Sequence, residues 1–258
     1  MQLIHKDGIF IIKNYINISI EDLEKECKWD KFTINNKELC RTGCFQGIKH
    51  DVISVPWLRC PSIEHQTIYD CSESVKKIKD KIDSDFKTNI NICKIQKYSD
   101  GKSIINPHSD KIIDLDKESP IFVIRFGATR TCILIHKQTK EIIKVKVEHG
   151  SLLIINYNAN LIWKHGIEED ISISKPSYSI VFRKSITFLH PSGYIYGLNT
   201  PFKTLNDLNN FLNNKNTSRF YGKDVQKNKI IELYNKENRN ICDISIYNEI
   251  IDNCIYPF

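Results

Sequence analysis

No run of about 18 uninterrupted apolar residues occurs in this 258-residue chain, so no membrane-crossing helix is expected. The opening residues, Met1 to Gly8, lack a cationic start followed by a long apolar run, and no secretory signal is expected there. No Cys-x-x-Cys pair is found among its 9 cysteines, whose odd count and irregular spacing argue against a disulfide framework. Reduced thiols in an intracellular compartment, cytoplasm or nucleus, are the better expectation, with each cysteine acting as a small core hydrophobe.

What is present describes an ordinary globular protein. Apolar residues make up 41% and charged residues 26%, and the length suits one large domain or a core with an appended piece. The net charge of +6 and pI near 8.7 are compatible with a polyanionic partner without requiring one. The densest basic stretches are Lys76-Lys77-Ile78-Lys79-Asp80-Lys81 and Lys137-Gln138-Thr139-Lys140. Solvated faces explain them as well as phosphate contacts do. Ile, Asn and Lys are abundant, whereas Ala occurs only at Ala128 and Ala159. That usage points to an AT-rich genome, such as that of a large DNA virus, a protist or some bacteria.

Periodicity divides the chain. Ser19 is a candidate helix N-cap with acids in the following turns. Val75, Ile78, Ile82 and Phe86 recur at helical steps over 72–87, with lysines opposite. From residue 90 the pattern turns to strands: Ile90–Gln96, Pro120–Phe126, Thr131–His136, Glu141–Val147, Ser151–Asn156 and Ser179–Phe188. Short antiparallel strands in succession predict a mixed α/β protein with a mainly β core, a double-stranded β-helix or jelly-roll. Helices are expected at Leu205–Leu212 (capped by Thr204), 225–237 and 244–254. The expected organisation is a supporting or lid region at 1–89, a jelly-roll core at 90–189 and a helical extension at 190–258.

Within the core, His108-Ser109-Asp110 is followed at a distance by His165 and then Arg183. A His-x-Asp tripeptide alone often sits in a solvated loop. Joined to a downstream His, it is the ligand set of a 2-His-1-carboxylate site, which binds Fe(II) on one face. The other histidines, at 5, 50, 65, 136, 149 and 190, have no such spacing and are expected to be structural or exposed.

The flanking segments resemble the AlkB family of Fe(II)/2-oxoglutarate dioxygenases over roughly residues 39–186. Arg41-Thr42-Gly43-Cys44-Phe45-Gln46-Gly47 is similar to that family's strand before the catalytic core, and Gln96-Lys97-Tyr98-Ser99-Asp100-Gly101 to its Asn-x-Tyr-x-x-Gly segment. Phe126-Gly127-Ala128-Thr129-Arg130, Gly150-Ser151-Leu152-Leu153, Trp163-Lys164-His165-Gly166 and Phe182-Arg183 complete the ordered set. The resemblance implies Fe(II) held by His108, Asp110 and His165, with 2-oxoglutarate and O₂ as co-substrates. It further implies 2-oxoglutarate contacts from Tyr98 and Arg183, with Gln96 as a second donor, and a nucleotide lid near Phe45 and Trp57. Core packing is the simpler reading for Trp57.

Two departures stand out. Family members carry two arginines six residues apart on the last strand, the first of them binding the distal carboxylate of 2-oxoglutarate. Here the first position is Ser177, so Arg183, Lys175 or Arg125 must serve. Lys111-Ile112 occupy the place of a base-reading acid, with Asp114 and Asp116 nearby. The function implied is oxidative demethylation of alkylated bases in DNA or RNA, single strands preferred, by a monomer with no membrane partner. The alternatives are a hydroxylase of a protein or small molecule, or a degenerate oxygenase acting as a binding module.

Overall fold

The computed structural model describes residues 4–34, 37–51, 53–58, 67–198, 200 and 202–213. In chain order its elements begin with β1 (Ile4–Lys6), β2 (Ile9–Ile12), α1 (Ile20–Glu26), β3 (Asp30–Ile34), β4 (Lys37–Gly47), β5 (Val55–Pro56), β6 (Ile68–Asp70) and α2 (Glu73–Phe86). They continue with β7 (Ile92–Tyr98), β8 (Ile105–His108), β9 (Ile121–Gly127), β10 (Arg130–His136), β11 (Ile142–Val147) and β12 (Ser151–Ile155). The last are α3 (Tyr157–Ile162), β13 (Trp163–Ile167), β14 (Ser177–Arg183), β15 (Thr187–Leu189), β16 (Ile195–Gly197) and α4 (Leu205–Asn213).

The chain forms two compact units. One comprises Met1–Gly47, Pro61–Asp110 and Lys117–Lys184, the other Ile48–Cys60, Lys111–Asp116 and Ser185–Phe258. This differs from the expected division at residues 89 and 189, because the N-terminal strands belong to the same sheet as the core strands. β4 runs antiparallel along β7 from Arg41 opposite Tyr98 to Gly47 opposite Ile92. Gly43 permits that close approach, since a Cβ there would fall 1.9 Å from the Ile95 carbonyl oxygen.

The first unit holds a nine-stranded sheet ordered β1-β2-β12-β9-β14-β7-β4-β3, with β6 also on β4, and a four-stranded sheet ordered β11-β10-β13-β8. This is the predicted mainly β jelly-roll architecture. Strand alternation gives the large sheet two unlike faces. One carries Ile95, Ile124, Phe126, Ile154, Ile180 and Phe182, packed with Leu23 of α1 and with Val75, Ile78 and Ile82 of α2. The helices form as their sequences direct: Ser19 Oγ accepts from Asp22 N at 3.1 Å, and the apolar stripe of α2 is buried while its lysines, apart from Lys79, face out. Lys79 is buried too and ion-pairs with Asp83 one turn on, at 2.6 Å. The opposite face of the same strands carries Gln96, Tyr98, Arg125, Ser151, Ser177, Ser179 and Arg183.

The second unit has a three-stranded sheet ordered β16-β15-β5. The expected strand Ser179–Phe188 is in fact two, β14 and β15, in different sheets. Between them Ser185 Oγ donates to the carbonyls of Trp57 and Thr187 and accepts from Thr187 N, giving the backbone an alternative to a continuing ladder. Tyr194, Tyr196, Phe202 and Leu208 form this unit's own core, and the His50 ring stacks on Phe188 at 4.0 Å. α4 is the helix expected near 205. Thr204 and Asp207 exchange two bonds as a reciprocal cap, Thr204 N to Asp207 Oδ2 and Asp207 N to Thr204 Oγ1. The helices expected at 225–237 and 244–254 lie outside the described residues.

Candidate metal centre and co-substrate face

His108 ends β8, and His165 lies opposite it on β13 in the antiparallel register. Direct pairing brings the two imidazoles together, with ring centroids 4.6 Å apart. Asp110 follows two residues after His108, where the chain has left the strand. The buried Asn160 of α3 holds it there: Asp110 N donates to Asn160 Oδ1 at 2.8 Å and Asn160 Nδ2 donates to Asp110 O at 2.9 Å. Ser109 Oγ adds a bond to the Trp163 carbonyl at 2.9 Å. Asn160 is a positioning residue that sequence reading missed. Its only signal is an amide inside the short apolar helix Tyr157–Ile162.

The three side chains converge as a ligand set. Asp110 Oδ1 lies 3.4 Å from His108 Nε2 and 3.7 Å from His165 Nε2, and one donor atom from each residue falls within 4.8 Å of the others. The other carboxylate oxygen, Oδ2, accepts from Arg183 Nε at 3.0 Å and from Arg183 Nη2 at 2.5 Å. Arg183 thus turns Asp110 so that one oxygen alone faces the imidazoles. His108 Nδ1 lies 3.0 Å from the Asn106 carbonyl, a contact that turns Nε2 toward Asp110.

Electrostatics suit a cation ligand set. Burial alone raises the Asp110 carboxyl, but the charge of Arg183, the hydrogen bond from His108 and the nearby imidazoles together hold it well below the usual range. His165 is pushed down to about 3, first by burial and then by the charge of His108, against the pull of Asp110. At neutral pH the set therefore offers an ionised carboxylate and a neutral, half-buried imidazole, the protonation states that metal coordination requires. The residues fit Fe(II) bound in a 2-His-1-carboxylate site.

The other expected site residues lie on the polar face of the large sheet. Tyr98 is buried, with its hydroxyl 3.4 Å from Ser179 Oγ. Gln96 donates to Ser179 Oγ at 3.4 Å and accepts from Arg41 Nε at 2.9 Å. Arg183, expected to grip 2-oxoglutarate, instead has its guanidinium on Asp110. Lys175 is exposed, whereas Ser177 is buried with Oγ unpartnered. Phe45, expected in a nucleotide lid, is 1% exposed and packs edge-on against Phe32, so it offers no open stacking surface. Trp57 is half-buried. Asp114, expected near the base-reading position, is buried in the second unit and accepts from Thr187 Oγ1 at 2.8 Å.

The 2OG-Fe(II) oxygenase superfamily matches residues 11–188. The chain belongs to that superfamily, and the cofactor set that goes with it is Fe(II) with 2-oxoglutarate and O₂. Within it the chain is AlkB-like. It is similar to the DNA oxidative demethylase ALKBH2 of Bos taurus, 28% identical over 118 residues covering 43% of this chain and 42% of that protein. The Mus musculus protein of the same name is 29% identical, with 43% and 49% covered, and the Homo sapiens one 28% identical, with 43% and 45% covered. The match thus spans less than half the length of these curated relatives. Among solved structures, that of OsALKBH1 superposes with a TM-score of 0.52 at 13% identity, covering 71% of this chain and 100% of that one, a likeness of fold.

Proposed function

We propose that the protein is a 2-oxoglutarate- and Fe(II)-dependent dioxygenase that removes alkyl groups from nucleic-acid bases, in DNA or RNA, with formaldehyde as the product of a methyl group. The observation that carries this is the convergence of His108, Asp110 and His165 with Asp110 Oδ2 tied to Arg183. His108 and His165 would supply imidazole nitrogens and Asp110 one carboxylate oxygen to Fe(II), which with 2-oxoglutarate and O₂ would supply the oxidising chemistry.

The protein's own residues prepare that site. Arg183 neutralises and orients Asp110, and Asn160 fixes its backbone. Tyr98 and Gln96 offer hydrogen bonds on the polar sheet face, where a dicarboxylate needs donors. Burial keeps His165 neutral. For the substrate, the support is the likeness to proteins named DNA oxidative demethylase and a net charge of +6, which suits a phosphate backbone. Hydroxylation of a protein or small molecule is the second reading, favoured by the burial of Phe45.

Incubation with Fe(II), 2-oxoglutarate and N-methylated oligonucleotides tests the proposal, with formaldehyde and succinate as the readouts. Single-stranded substrates should turn over faster than duplex, rates should fall steeply as salt rises, and His108→Ala should reduce succinate to background. Succinate without formaldehyde from any oligonucleotide would leave the second reading. Undiminished succinate from His108→Ala would sink the ligand assignment.

A further inference from the structure

Arg125 on β9 is a buried cation without a visible reason to be there. It is 4% exposed, and its Nη2 has no hydrogen-bond partner among the described residues. Its Cζ lies 4.9 Å over the Tyr98 ring. In the sheet register Arg125 stands opposite Ser179 of β14 on one side and Ser151 of β12 on the other, while Ser179 stands opposite Gln96 of β7. Opposed residues share a face, so Arg125, Ser151, Ser179 and Gln96 form one row on the polar face. Ser177 and Tyr98 belong to the same face, one step along the strands.

Two further groups there lack partners: Ser151 Oγ and Ser177 Oγ, both buried. Buried donors without acceptors are costly, and three of them, Arg125 Nη2, Ser151 Oγ and Ser177 Oγ, lie on the adjoining strands β9, β12 and β14. A second arginine increases the demand for negative charge. Arg130 is fully buried, donates from Nη1 and Nη2 to the carbonyls of Asp100, Gly101, Ser103 and Glu168 while its Nε has no partner, and also lies against Tyr98, at 5.6 Å. Its pKa is lowered first by burial and then by the charge of Arg125. What this row lacks is an anion able to accept from several donors, and a carboxylate matches the guanidinium fork.

We propose that Arg125 is the anchor for the distal carboxylate of 2-oxoglutarate, doing from β9 what the arginine missing at Ser177 would have done from β14. The inference rests on the 2-oxoglutarate reading of the site. Arg183 is committed to Asp110 and Lys175 is exposed, so neither competes. Arg125 faces Ser179, four residues before Arg183 on β14, which is roughly 13 Å along the strand. The ligand set thus lies at one end of the polar face and the free guanidinium lies further in. Tyr98 and the serines complete the carboxylate's shell.

Isothermal titration of the full chain loaded with Mn(II) tests this without turnover. The ligands are 2-oxoglutarate and 2-oxopentanoate, which has the same chain length but no distal carboxylate. The wild type should prefer 2-oxoglutarate. Arg125→Gln should weaken 2-oxoglutarate by roughly 30-fold or more while leaving 2-oxopentanoate and Mn(II) unchanged. The exchange variant Arg125→Ser/Ser177→Arg should recover most of the preference. Equal 2-oxoglutarate binding by wild type and Arg125→Gln overturns the proposal. A wild type that binds Mn(II) but no 2-oxoglutarate overturns the co-substrate reading itself. Should Arg125→Gln fail to fold by circular dichroism, Arg125→Lys decides: a partial loss supports the fork, and full affinity overturns it.

Discussion

The two faces of the nine-stranded sheet are built by the same strands and answer to different demands. On β14, Ile180 and Phe182 pack under the helices, while Ser177, Ser179 and Arg183 alternate with them on the other side. The apolar face is closed and self-sufficient. The polar face contains Ser151, Ser177 and Arg125 with unmet hydrogen-bonding capacity. One face stabilises the fold through buried apolar area, and the other gives up stability to stay ready for a ligand.

Substitutions should separate these roles. The largest effect is expected from Asp110→Ala, which removes the carboxylate proposed to hold the metal and strands Arg183. The side chains of that pair are only 9% and 11% exposed. Loss of all Mn(II) binding and a stability loss of about 3–5 kcal/mol are expected, read by titration and by denaturant unfolding of the metal-free protein. Unchanged stability would mean that the pair contributes nothing to the fold. Phe182→Ala, on the closed face, should cost about 3–5 kcal/mol yet leave the Mn(II) affinity of the folded fraction intact. A lower affinity there would show that the faces are not independent. The smallest effect should have the opposite sign. Ser151→Ala deletes an unpartnered buried hydroxyl and should leave stability unchanged or raise it by up to about 1 kcal/mol. A clear destabilisation would show that the hydroxyl already has a partner.

How much was legible in the sequence follows from how local each signal is. Helix α2 and the cap at Ser19 depend on neighbours within four residues, and both appear as read. The convergence of His108, Asp110 and His165 was legible because the residue types, their order and the flanking segments all pointed to one ligand set. The engagement of Arg183 with Asp110 was not, since it depends on which end of β14 approaches the segment after β8. Arg125 could be named only as one cation among three until strand register placed it opposite Ser179. The resemblance placed Phe45 in a nucleotide lid, but whether it faces out is settled by long-range pairing of β4 with β7. At the break between β14 and β15 the Ser185 hydroxyl bonds the backbone of Trp57 and Thr187, which no period reveals.

The direct opposition of His108 and His165 has a consequence for folding as well as chemistry. β8 is the edge of its sheet, and its ladder to β13 is irregular between His165 and Ile167. An edge strand with an irregular ladder is held in register less firmly by its backbone alone, and a one-residue slip would turn His108 to the wrong side. A cation shared by the two imidazoles permits only one register. A metal held by this set would therefore also act as a clasp on an edge strand, and the amides of Ile105, Asn106 and His108 should exchange with solvent more slowly once it is bound.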